Sequence, residues 1–281
     1  MIKKVAKAIA PPILVAAVRH FRAGRHPDPK AITFTGDYAC WADAQRNSAG
    51  WDSAVILQKT RDALLKVKRG EAVYERDSII FDEMQHSFPL LAGLLRAATA
   101  SGSRLSVLDF GGSLGSTYFQ CRSFLSVAKE LRWSVVEQPM HVACGQSEFA
   151  NDQLRFYPSI EECLRIEKPN VLLLSGVVQY LPKPYDFLAD VLRHGFDYVI
   201  VNRTAFMRNG HDRLTVQHVP ASIYKASYPA WFLSEKRFRA CFDERYELVY
   251  EFAGADTVQP DGGETYFKGF QFQIKAEAQQ A

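Results

Sequence analysis

In the run SVLDFGGSLGSTYF, Asp109 closes an apolar stretch and Gly111, Gly112 and Gly115 follow at once. Glycines so placed let a turn approach a bound molecule closely and accept backbone angles that other residues avoid. In open α/β sheets, ligands bind at the carboxyl ends of the strands, which is where such a turn sits. The spacing is not the dinucleotide fingerprint G-x-G-x-x-G, because the third and sixth positions counted from Gly111 are Ser113 and Ser116. Glycine at the fifth position suits a looser loop that holds S-adenosylmethionine, whose amino-acid end replaces a pyrophosphate. A tight turn with no ligand is the competing reading.

Glu137 ends the next apolar run, WSVVEQP. A carboxylate there can accept both hydroxyl hydrogens of a ribose, or it can cap the helix that follows Pro139. Further on, Ser159 and Ile160 are candidates to border an adenine ring, although PSIEE is equally a helix start. Ser175 and Gly176 follow VLLL and are expected beneath the methionine part, with Gln179 and Tyr180 projecting from the same loop toward an acceptor.

About thirty residues after the next strand show no helix. That exceeds the usual connection, and long loops are commonly lids or binding segments. The segment, 203–231, carries Arg203, Asp212, Arg213, His218, Tyr224, Tyr228 and Trp231. Polar groups mixed with aromatic faces suit a sugar or another polar small molecule, and equally a subunit interface. Methyl transfer to a hydroxyl benefits from a base. His218 is the first candidate, since imidazole ordinarily titrates near neutrality, and Asp212 is the second. Either could instead be structural. No cysteine nucleophile or metal-ligand cluster is expected.

The elements that must position these residues are strands alternating with helices. RLSVLDF, RWSVVEQP, LRFY, VLLLS and FDYVIVNRTAF read as strands separated by amphipathic runs, so the fold class is α/β, with a mostly parallel sheet covered on both faces. YELVYEF and TYFKGFQFQI lack a crossover between them and read as a terminal antiparallel hairpin. Upstream, helices are expected over 53–67, part of 78–84, and 89–98. The organisation expected is a basic segment and helical cap over 1–100, then a cofactor-binding domain over 101–281.

The chain has 281 residues, 47% hydrophobic and 23% charged, a balance that excludes wholesale disorder. A net charge of +3 gives no argument for a nucleic-acid partner. Five widely spaced cysteines with no CxxC pair favour reduced thiols in a cytoplasmic protein. Residues 1–25 mix Lys and Arg with a short apolar centre broken by Pro11 and Pro12. They suit either peripheral contact with an anionic membrane or packing on the chain's own domain or on a second subunit of a homodimer.

The chain resembles the class I S-adenosylmethionine-dependent methyltransferases. More narrowly it resembles bacterial methyltransferases often encoded among cell-envelope polysaccharide genes, through GDYACWADA, LLKVKRGEAVYERDSIIFDE, VLDFGGSLGSTYFQ, WSVVEQP, LRFYPSIEECL, LLLSGVVQYL and DRLTVQHVPASIYKASYPAWFLSEKRF. These strings cover approximately residues 34–274. The resemblance implies a Rossmann-like fold with a seven-stranded sheet, S-adenosylmethionine as cofactor and S-adenosylhomocysteine as product. It implies that Asp109, Gly111 and Gly115 carry the acid-x-Gly-x-Gly-x-Gly pattern, with Ser113 in place of its middle glycine, Gly112 added, and Glu137 as the ribose acid. The function expected is O-methylation of a sugar or polysaccharide precursor. A noncatalytic interaction protein of the same fold and a nicotinamide oxidoreductase stay open as alternatives.

Overall fold

The computed structural model describes residues 32–50, 53–254 and 263–278. The basic segment 1–25 therefore lies outside the described residues. Five strands alternate with helices from residue 104 onward. They are β4 (Arg104–Phe110), β5 (Glu130–Val136), β6 (Leu154–Tyr157), β7 (Val171–Ser175) and β8 (Tyr198–Met207). Before them come β1 (Thr33–Thr35), β2 (Tyr74–Arg76) and β3 (Ile79–Phe81). After them come β9 (Arg213–Val219), β10 (Ala226–Phe232), β11 (Tyr246–Ala253) and β12 (Thr265–Ile274). The helices are α1 (Trp41–Arg46), α2 (Ser53–Lys68), α3 (Phe88–Ala100), α4 (Ser116–Leu125), α5 (Pro139–Glu148), α6 (Ile160–Ile166), α7 (Pro184–Val191) and α8 (Glu235–Ala240).

The large sheet has the order β11-β12-β8-β7-β4-β5-β6. Its strands run parallel except β12, which is antiparallel to both β8 and β11. This is the Rossmann-like class I methyltransferase fold, with an N-terminal extension and the expected terminal hairpin. Successive side chains of a strand point to opposite faces, so β4 feeds two cores. Leu105 and Val107 join Leu90 and Leu94 of α3 and Trp133 of β5 on one face. Leu108 joins Leu172, Leu174, Val199 and Val201 on the other, beneath Phe238 and Phe242. Both faces being covered, the central strands can be apolar almost throughout.

Two expectations are corrected. Residues 78–84 form no helix. Instead β2 and β3 pair as a hairpin whose two-residue turn, Asp77–Ser78, has φ of 53° and 69°. Positive φ at both central residues is the primed turn that matches strand twist. Likewise 203–231 is not a structureless loop. Its residues extend β8 and then form β9 and β10, which with β1 make a three-stranded antiparallel sheet. Its alternation was masked because polar residues occupy buried positions: Thr215, Gln217 and Ser227 are all buried.

Candidate functional site

The strand order reverses direction between β4 and β7, the switch point where such sheets take ligands. A cavity of about 370 Å³ opens there. Asp109, Gly111, Gly112 and Ser113 line it from β4 and its loop, Ser116, Thr117 and Gln120 from α4, and Ser175 from β7. Its other wall comes from the cap, with Tyr74, Glu75, Arg76, Asp77 and His86. That size is within the usual range for small-molecule sites.

The loop is packed tightly against its own neighbours. A Cβ on Gly111, which has φ +71°, would lie 2.5 Å from Val177, and one on Gly112 would lie 2.5 Å from the Asp109 carboxylate. Ser113 sits at φ +54°, a left-handed conformation that glycine adopts more easily. The serine thus holds a backbone shape that favours glycine. Gly115 begins α4 as its N-cap.

Asp109 is 1% exposed and accepts from Trp133 Nε1 at 3.0 Å, while its Oδ1 has no partner among the described residues. Burial pushes its pKa up to about 7, the Trp133 N–H pulls it down, and the negative charge of Glu137 adds to the rise. Glu137 itself stands half-buried just past β5 and accepts from the N–H of Gln138 at 2.7 Å. Gly111 N–H donates to Val136 O at 2.9 Å, which brings the glycine loop beside that strand end.

Midway along β8 the pairing with β12 shifts between Phe270–Val201 and Lys268–Thr204, leaving Asn202 and Arg203 in a bulge. Arg203 has φ +55°. Bulges re-aim side chains next to active sites. This one brings Arg203 to the cavity wall, where its guanidinium donates to Asp77 at 2.7 Å. The charge and hydrogen bond of Arg203 hold the Asp77 carboxyl below its ordinary value.

Of the residues singled out in the sequence, Asp109, Gly111, Gly112, Ser113, Ser175, Arg203 and Tyr224 line this cavity together. Glu137, Ser159, Ile160 and Gly176 are not among its lining residues. Ser159 caps α6 by accepting from the N–H of Glu162 at 3.2 Å, and Ile160 packs in the second core. Gly176 turns at φ +66°, its N–H donating to Asn202 O.

His218 and Asp212, the candidate bases, are not brought to the cavity. His218 is on β9 with Nε2 2.9 Å from Thr35 Oγ1, a bond that ties β1 to its neighbour. Asp212 is saturated: it accepts from the Tyr185 hydroxyl, the Ser234 N–H and the Arg237 guanidinium. It fastens the start of α8 rather than meeting a substrate. Most of the remaining acceptor candidates also hold the cap. Gln179 donates to Arg203 O at 3.1 Å and Trp231 to Leu181 O at 3.2 Å, while Arg213 donates to Gly36 O. The Tyr180 hydroxyl donates to Gln217, whose amide donates in turn to the Tyr228 hydroxyl. Burial raises the pKa of Tyr180, Tyr224 and Tyr228, so none is a ready base at neutral pH.

Sequence reasoning missed Glu75, Asp77 and His86. For Glu75 and Asp77 the signal was two short apolar runs, VY and IIF, flanking a polar turn that contains neither glycine nor asparagine; nothing in the sequence marked His86. Among the described residues no group of three or more His, Cys, Asp or Glu could hold a metal ion. The five cysteines are free, and no described helix is long and apolar enough to cross a membrane.

No protein-family model and no curated protein matches the chain. Solved structures similar to it include the magnesium protoporphyrin IX methyltransferase of Synechocystis PCC 6803 with bound SAM, at 11% identity and TM-score 0.45, covering 81% of this chain and 99% of that one. Another is the N-terminal domain of EvdMO1 in the presence of SAH and D-fucose, at 14% identity and TM-score 0.44, covering 80% and 98%. A third is the 1,6-didemethyltoxoflavin-N1-methyltransferase of Burkholderia thailandensis, at 14% identity and TM-score 0.41, covering 89% and 98%. Likenesses of this size transfer no residue role, substrate or activity.

Proposed function

We propose that the chain is an S-adenosylmethionine-dependent methyltransferase acting on a hydroxyl of a polar small molecule, of the sugar or polysaccharide-precursor class. The observation that carries the cofactor reading is the switch-point cavity, where a glycine cradle meets a buried carboxylate oxygen with no partner of its own. The residues fit the group. The loop Gly111–Ser113 has no side chain in the way at Gly111 or Gly112. Asp109 offers an acceptor to a cationic amino end, and Glu137 would hold the ribose hydroxyls. When bound, S-adenosylmethionine supplies an activated methyl group, and alignment is then the protein's main task. The acceptor reading is supported by the polar wall of Arg203, Asp77 and Tyr224 beside the faces of Tyr74 and Phe252. Cofactor residues come from 101–281 and the acceptor wall draws on the cap.

Isothermal titration with S-adenosylhomocysteine and with NAD tests the reading. The first should bind and the second should not. Glu137→Ala should lose about 2 kcal/mol of affinity, roughly 30-fold, through two lost hydrogen bonds. A folded Glu137→Ala protein with unchanged affinity would remove Glu137 from the ribose site, and binding of NAD alone would overturn the cofactor assignment.

A further inference from the structure

Three carboxylates line the cavity, and they differ in how their charge is met. Asp77 has Arg203 at 2.7 Å. Asp109 has one neutral donor, Trp133 Nε1, and one unpartnered oxygen. Glu75, on β2, is 1% exposed. Its Oε1 accepts from the Ser78 N–H at 2.8 Å and its Oε2 from the Ser116 hydroxyl at 2.6 Å, both neutral donors. The neighbouring Arg76 places its guanidinium over the Phe81 ring, 5.5 Å from its centroid. Burying a carboxylate without a cation is costly even when it is hydrogen-bonded. Burial indeed raises the Glu75 pKa, opposed by its two hydrogen bonds and helped by the charge of Asp77.

The position of this residue is as informative as its charge. Ser116 is the first residue of α4, directly after the glycine loop. The hydrogen bond from Ser116 therefore seats a cap residue on the rim of the cofactor cradle. The Thr60–Ser78 contact, at 2.7 Å, anchors the same hairpin on α2. A buried acid hydrogen-bonded at that rim, with no cation among its donors in the described residues, complements a ligand that brings its own positive charge.

We propose that Glu75 is a cofactor-recognition residue that draws the positively charged amino-acid end of S-adenosylmethionine toward the β2–β3 side of the cavity. The inference rests on the methyltransferase reading above. It adds a residue from outside the sheet domain to the cofactor site, and so makes the β2–β3 hairpin part of that site rather than only a lid for the acceptor.

The test uses the full chain and two probes. S-adenosylhomocysteine has the amino end, and 5′-methylthioadenosine lacks it while keeping adenine and ribose. Glu75→Gln should weaken S-adenosylhomocysteine at least roughly tenfold, the order expected for a lost charge-assisted hydrogen bond, and leave 5′-methylthioadenosine within about twofold. Ser116→Ala, which removes the tether but keeps the carboxylate, should have a smaller effect. Glu75→Asp keeps the charge, should lose less than Glu75→Gln, and serves if the glutamine variant does not fold. Unchanged S-adenosylhomocysteine affinity in Glu75→Gln overturns the inference. So does an equal loss for both probes, or a loss in Ser116→Ala as large as in Glu75→Gln, since either would make Glu75 a tether. Failure of the unmodified chain to bind either probe would instead sink the methyltransferase reading itself.

Discussion

The two walls of the cavity are built on different principles. The wall formed by β4 and its loop is fixed by apolar packing on both faces of a sheet and by glycines that leave no room for a side chain. The wall formed by β2 and β3 consists of two three-residue strands, held by single hydrogen bonds from Ser116, Thr60 and Arg203. Packing of the first kind is shared among many residues and unfolds with the whole domain. Contacts of the second kind are local and cheap to release. A site with one wall of each kind can hold a cofactor against a rigid cradle while the opposite side adapts to what enters.

Substitutions in the two walls should therefore break different things. Trp133→Ala has the largest expected effect. It empties a fully buried site in the core and removes the Trp133 donor to Asp109. Urea unfolding should show a loss of about 3–5 kcal/mol.

Next comes a pH effect confined to the rigid wall. The Asp109 carboxyl titrates at about 7 in the folded protein against an ordinary 3.8. Its protonated form is the one folding favours, so its contribution to stability is complete below 3.8 and is lost as pH rises through about 7. A cationic ligand prefers the ionised form. S-adenosylhomocysteine affinity should then fall, by at most about tenfold per pH unit, as pH drops below that value. Titrations on either side of it, repeated with Asp109→Asn, check this, and the variant should lose the dependence.

The smallest effect belongs to the cap. The Asp77 and Arg203 side chains are 58% and 27% exposed. A pair so open to solvent is worth less than about 1 kcal/mol. Asp77→Asn should leave the melting curve nearly unmoved, while faster proteolysis at the 74–81 hairpin would show that the cap had loosened. A large fall in global stability would erase the contrast between the walls.

The same contrast explains what could be read from the chain. The sheet, its helices and the glycine loop were legible because each strand is a largely apolar run and the first two of the parallel strands end beside Asp109 and Glu137. The β2–β3 hairpin and the small sheet were not. Thr215 and Gln217 are polar residues at buried positions of β9, and Asp77–Ser78 adopts a primed turn without the usual glycine or asparagine. His218 looked poised for chemistry by residue type alone, but its ring serves Thr35 across a strand pair. Glu75 looked like one more charge in a polar stretch, and only the arrival of Ser116 from 41 residues away shows what surrounds it.

The placement of β12 also has a bearing on how the molecule is made. This strand lies between β8 and β11, yet it is synthesised only after β8, β9, β10 and β11. At roughly 5–20 residues per second, several seconds separate the emergence of β8 from that of its neighbour. During that interval Val199, Ile200 and Val201 occupy an open sheet edge, a ready template for pairing with another chain. A growing chain has to be sheltered at that edge, and a chain broken off before residue 265 would present it permanently. Solubility in the cell is thus tied to reaching Thr265–Ile274, well after every residue of the cavity's rigid wall has been made.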